Sequence, residues 1–72
     1  MKNIKLLELG NKIRLERMKR GFSQEQLAEL ANVSIRTISD IERGLTNIRY
    51  TNLLQIASAF ELTTSELLDF KL

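Results

Sequence analysis

Only three residues, Asn32, Val33 and Ser34, stand between two segments of helical pattern, 24–31 and 35–43. Asparagine is among the few residues other than glycine that tolerate a left-handed backbone, so the joint predicts a single tight turn and a steep crossing of the two helices. Ala28 is small where such a crossing needs close approach. Leu27, Ala31, Val33, Ile38 and Ile41 supply the packed side. That leaves Arg36, Ser39, Asp40 and Arg43 on the opposite face of the second helix, with Thr37 at its edge.

The rest of the chain carries the same punctuation. There is no proline, there are three glycines, and no stretch alternates in the manner of a strand, so the expectation is all-α. Ser23 lies between Phe22 and Leu27, Ser34 between Val33 and Ile38, and Thr63 between Leu62 and Leu67: each is an N-cap hydroxyl flanked by a hydrophobic staple. Gln26 and Glu66, three residues after Ser23 and Thr63, complete capping boxes. A further start is set near Arg49 by the staple spacing of Ile48 and Leu53, although arginine caps poorly. Five helices are therefore predicted, at about 4–20, 24–31, 35–43, 50–60 and 64–70, within one small domain covering 1–72.

Size and composition exclude several function classes. A domain of 72 residues buries only roughly 60% of its unfolded surface and leaves little room for an enzyme cleft. It has no cysteine and no histidine, which removes disulfides, thiolate chemistry and the usual zinc sets, and no metal or other cofactor is expected. No apolar run approaches the roughly 20 residues of a membrane span, and residues 1–20 are too charged for a signal peptide, so a cytoplasmic location is expected. The net charge of +2 is unevenly spread: residues 1–20 carry seven Lys/Arg against two acids, and residues 51–72 one against three. A helix held from behind by a partner, with donors and acceptors on its outer face, is suited to a DNA major groove.

The segment SQEQLAELANVSIRTISDIERG resembles the helix-turn-helix of the phage repressor and Cro-type family, and NIRYTNLLQIASAFELTTSELL resembles that family's last two helices. The resemblance covers residues 10–70. Within the family, ERGLTNIRYTNLLQIASAF is most similar to the small controller proteins of restriction-modification systems. Three positions depart from the pattern: Asn32 where many relatives have glycine, Ile48 where many have proline, and Arg49 where serine or threonine usually caps.

The resemblance implies a five-helix DNA-binding fold and a role for individual residues. Gln24 matches a position that holds a DNA phosphate; Arg43, Thr46 and Asn47 match the end of the recognition helix and the loop that touch phosphates. Ile35, Arg36, Thr37, Ser39 and Asp40 match positions facing base edges or the adjacent backbone. Chemistry agrees, since amides and hydroxyls suit phosphate oxygens and arginine fits the O6/N7 edge of guanine. Ile35 either packs on a thymine methyl or packs along the helix edge. Asp40 either accepts from a cytosine N4 or orients Arg36 one turn away, the second being favoured. Arg17 and Glu42 resemble the family's buried ion pair joining the first helix to the third.

Further expectations concern partners. One recognition helix covers only a few base pairs, so a homodimer on a pseudo-palindromic operator is expected, its interface drawn from the last two helices with Phe60, Leu62, Leu68, Phe70 and Leu72 as candidates. Leu7, Leu15 and Met18, on the far side of the first helix, are expected to be covered by Leu68, Phe70 or Leu72. Glu25 and Glu29 share a face of the second helix and match positions that some phage repressors use to touch RNA polymerase; as ordinary surface acids, Glu25 would simply favour the positive end of the helix dipole. The alternative to a DNA-binding regulator, which would activate as well as repress, is an antitoxin-like module that uses the same fold to hold a partner protein. A small enzyme is disfavoured because no nucleophile–base pair is visible.

Overall fold

The computed structural model describes residues 4–69, all of whose regular elements are helices: α1 (Ile4–Lys19), α2 (Gln24–Ala31), α3 (Ile35–Glu42), α4 (Tyr50–Ala59) and α5 (Thr64–Leu67). Starts fall where the caps place them. Ser23 accepts from the Gln26 N–H at 3.0 Å while the Gln26 side chain accepts from the Ser23 N–H at 2.7 Å. Thr63 and Glu66 repeat this reciprocal pair at 3.0 and 2.9 Å. Ser34 caps α3 through the Thr37 N–H at 3.0 Å, and Arg49 precedes α4 with no side-chain cap bond.

Ends are set by backbone geometry. Asn32 adopts the left-handed conformation (φ 58°) that the α2–α3 turn requires, and the N–H of Val33 returns to the Ala28 carbonyl at 3.0 Å. The predicted ends of α1, α3 and α4 each run one residue too far, onto turn or cap residues. The last helix is shorter than expected: the Asp69 N–H bonds back only three residues, to Glu66, and this tightened turn closes α5 at Leu67.

Each helix contributes one fully buried side chain to the core: Ile13, Leu27, Ile38, Ile56 and Leu67, all 0% exposed. Burial of side chains this size stabilises by about 1.5–3 kcal/mol each. Leu9, Ala28, Ala31, Ile41, Leu53, Ala57 and Phe60 complete the cluster, with Phe22, Val33, Ile48 and Leu62 packed at its margin. Gly10 is where α1 meets α3. A Cβ there would overlap the Ile41 carbonyl oxygen and stand 2.9 Å from that of Glu42, so only glycine permits this approach.

One expectation about apolar residues is corrected. Phe60 is 2% exposed and belongs to the core, with the Arg20 guanidinium 4.7 Å above its ring, so it is not part of a pairing surface. Leu15 and Met18 are 59% and 55% exposed, on the side of α1 away from Leu9 and Ile13, and two of the three residues expected to cover them fall outside the described residues. Leu7 is half-buried beside Gly44. Phe70 and Leu72 lie outside the described residues.

Candidate nucleic-acid interface

α3 lies across α2 and α1 with its apolar side, Ile38 and Ile41, inward. Its outer side carries the polar residues singled out from the sequence. Arg36 projects furthest, its side chain 89% exposed. Asp40 sits between two arginines: Oδ2 is 3.8 Å from Arg36 Nε and Oδ1 3.3 Å from Arg43 Nη2. One carboxylate thus stands within ion-pair distance of both guanidinium groups on the same face, with a hydrogen bond to Arg43. Ile35 is half exposed, leaving its methyl groups free for an apolar contact. The Thr37 and Ser34 hydroxyls share a 2.8 Å hydrogen bond, and Ser39 is half-buried. Thr46 and Asn47 follow in an exposed loop, where the Thr46 hydroxyl donates to the Asn47 carbonyl at 3.4 Å.

The recognition face is held from behind by ion pairing. Arg17 donates from Nε to Glu42 Oε2 at 2.7 Å and from Nη2 to Oε1 at 3.1 Å, and its Nη1 donates to the Phe22 carbonyl at 2.8 Å. Glu42 raises the Arg17 pKa above its ordinary value, more than burial lowers it. The Gln24 amide donates to the same Glu42 Oε1 at 3.1 Å. One Nε2 hydrogen and the side-chain oxygen of Gln24 are not used by this bond.

Two features were missed in the sequence. The first is a notch of about 230 Å³ where α1, α2 and α3 converge, lined by Arg14, Arg17, Gln24, Ser39, Glu42 and Arg43. Arg17 pairs with Glu42 and Arg43 with Asp40, which leaves Arg14 as the cation of the rim with no ion pair among the described residues. Arg14 stands one turn before Arg17 on α1, but that spacing does not say which residues of α3 it faces. The second is Glu16, which Lys12, Lys19 and Arg20 surround at 3.1, 3.4 and 2.6 Å. The Arg20 hydrogen bond, reinforced by Lys12 and Lys19 against the opposing effect of burial, lowers the Glu16 pKa to about 2. Arg20 also donates to the Phe60 carbonyl at 2.9 Å, tying the end of α1 to the end of α4. The flanking basic residues at three and four positions signal this cluster.

Among the described residues no helix is long and apolar enough to cross a membrane, and no group of acidic residues could hold a metal ion. The helix-turn-helix family model matches residues 13–67, spanning every element of the face described above except the start of α1. The chain belongs to the helix-turn-helix family. Its members are DNA-binding transcription regulators rather than enzymes. This helix-turn-helix protein is 42% identical over 69 residues to the control protein C.BamHI of Bacillus amyloliquefaciens, covering 94% of this chain and 84% of that one. Its fold is similar to the restriction-modification controller protein C.AhdI from Aeromonas hydrophila, with a TM-score of 0.88 and 32% identity over 90% of this chain and 98% of that chain. It is also similar to the biofilm master regulator SinR solved in complex with DNA, with a TM-score of 0.79 and 34% identity over 85% and 98% of the two chains.

Proposed function

We propose that this chain is a cytoplasmic controller of a restriction-modification system that binds a pseudo-palindromic operator as a homodimer, activating as well as repressing transcription. The observation that carries the reading is the α3 face, where Arg36, Asp40 and Arg43 lie in one outward row on a helix braced by Arg17–Glu42. Its likeness to C.BamHI and C.AhdI supports the controller assignment. In this reading Arg36 takes a guanine edge in the major groove, Ile35, Thr37 and Ser39 meet neighbouring bases or backbone, and Asp40 holds the guanidinium groups. Gln24, Arg43, Thr46 and Asn47 take phosphates, joined by Arg14 at the notch.

One recognition helix covers a few base pairs, so discrimination calls for two copies with their helices roughly 34 Å apart. Leu62 and Leu68, half-buried and 45% exposed, are the described candidates for that pairing. Glu25 and Glu29 are exposed acids on α2; in this reading they recruit RNA polymerase at a neighbouring promoter. The test is selection of bound sequences from a random duplex pool, with sedimentation of the complex. The reading expects a two-fold symmetric site occupied by two chains; a stable monomer that binds one asymmetric half-site with nanomolar affinity contradicts it.

A further inference from the structure

The C-terminal end of α1 grips two parts of the molecule. Arg17 reaches α3 through Glu42, and Arg20, just past the last residue of α1, reaches the end of α4. Arg20 spans that gap with both arms of its guanidinium. Nη1 donates to the Glu16 carbonyl at 2.9 Å and to Glu16 Oε1 at 2.6 Å, and Nη2 donates to the Phe60 carbonyl at 2.9 Å. A rigid planar fork suits such a bridge. The same group lies over the Phe60 ring, which is fixed in the core, and its other anchor, Glu16, is 6% exposed and held also by Lys12 and Lys19.

Phe60 is where the chain leaves α4. Glu61 takes a left-handed backbone (φ 59°), the Leu62 N–H returns to the Ala57 carbonyl at 2.8 Å, and Thr63 opens α5. A left-handed backbone is unfavourable for glutamate, so this corner keeps its shape through what it is bonded to. Leu62 and Leu68, the described candidates for pairing, flank α5 just beyond it. α3 is therefore joined to the corner in two ways: by packing through α2 onto α4, and through α1 by the bonds of Arg17 and Arg20. Apolar packing is non-directional, whereas these bonds fix an angle.

We propose that Arg20 is a positioning residue that sets which spacing of operator half-sites the protein accepts. The inference rests on the homodimer reading, with pairing through Leu62 and Leu68. Two-fold symmetry doubles any change in the angle between the corner and α3, because both chains turn together. One added base pair moves a half-site by roughly 3.4 Å along the duplex and about 35° around it. With Arg17 holding α3 to α1 and Arg20 holding α1 to the corner, the two recognition helices keep one separation. Released from Arg20, α1 and α3 can tilt on α4 and meet half-sites at neighbouring spacings. Arg20 acts here through the fold and not through contact with DNA.

The experiment measures binding of the full chain to a selected two-fold operator and to the same operator with one base pair inserted or removed at its centre. The parent is expected to lose about tenfold or more for either change, because the duplex must be twisted to restore register. Arg20→Gln should lose less than about threefold on the altered spacings, with the ranking of single-base variants inside a half-site unchanged. Glu16→Gln, which frees the guanidinium at its other anchor, should reduce the spacing penalty in the same direction. Lys19→Gln removes an exposed partner of Glu16 but leaves the bridge, and should match the parent. Circular dichroism at the assay temperature establishes that each variant is folded. A folded Arg20→Gln that keeps the parent's penalty, or that weakens binding equally at every spacing, overturns the proposal. So does a Lys19→Gln that loses the penalty as fully, which assigns the effect to charge. A parent that binds as a monomer without regard to spacing rejects the homodimer reading and this inference together; a sharp preference shared by parent and Arg20→Gln rejects Arg20 alone.

Discussion

Arg17 of α1 and Glu42 of α3 meet in a two-pronged ion pair, with side chains only 13% and 3% exposed. Removing one partner leaves the other charge buried and uncompensated, which is far worse than replacing both by apolar groups. Glu42→Gln is therefore expected to destabilise by about 3 kcal/mol, lowering Tm by more than about 10 °C in a domain this small. The double variant Arg17→Met with Glu42→Met should lose less than Glu42→Gln alone. Thermal unfolding followed by circular dichroism checks both. A double variant as unstable as the sum of its single replacements contradicts a desolvated pair.

Gly10→Ala reverses the ordinary helix rule. In an open helix, alanine is preferred over glycine by roughly 0.5–1 kcal/mol. Here the new methyl group meets the backbone oxygens of Ile41 and Glu42, which cannot move without displacing the recognition helix. The expected outcome is a loss of about 1–3 kcal/mol, read as a lower denaturant midpoint, together with weaker operator binding.

What the sequence made legible and what it hid follow from the range of the interactions. Ser23, Ser34 and Thr63 act within one helical turn, so their hydroxyls, staples and boxes announce the helix starts locally. Asn32 likewise declares the α2–α3 turn by its own backbone preference. The outer row on α3 was readable because Ile38 and Ile41 fix which side faces in. Gly10 and Arg14 were not: their importance depends on how α1 crosses residues some thirty positions away, and helical spacing carries no such information. Phe60 misled for a related reason. A core and an interface use the same residue types, and only the fold shows Arg20 closing over that ring.

Acid should loosen the join between α1 and α4. The Glu16 pKa is lowered from its ordinary 4.5 to about 2, so its contribution is complete above 4.5 and is lost as pH falls toward 2. Allowing for solvent screening at the exposed ends of Lys19 and Arg20, that contribution is about 2 kcal/mol. Glu16→Gln should accordingly be less stable than the parent at neutral pH and nearly equal to it near pH 2. Denaturant titrations at a series of pH values test this. A stability gap that persists undiminished into acid would assign the loss to packing instead of charge.

Arg14, Gln24 and Arg36 should fail in three distinguishable ways when operator binding is measured across salt concentrations and a panel of single-base operator variants. Arg36, the most exposed side chain of the α3 row, is assigned to a base edge; Arg36→Ala should lose about 1–3 kcal/mol on the preferred operator and relax discrimination at one base pair of each half-site. Arg14 lies on the rim of the notch and is assigned to a phosphate. Arg14→Gln should weaken every sequence alike and reduce the salt slope by about 1 for each half-site, because one fewer counterion is released from the duplex there. Gln24→Ala removes a neutral amide, so affinity should fall without change in ranking or in salt slope; its bond to Glu42 also disappears, and part of the effect should appear as lowered thermal stability. An unchanged operator ranking in Arg36→Ala would remove it from base reading, and an unchanged salt slope in Arg14→Gln would leave the notch as ordinary surface. Because ranking and salt slope are independent readouts, neither outcome can stand in for the other.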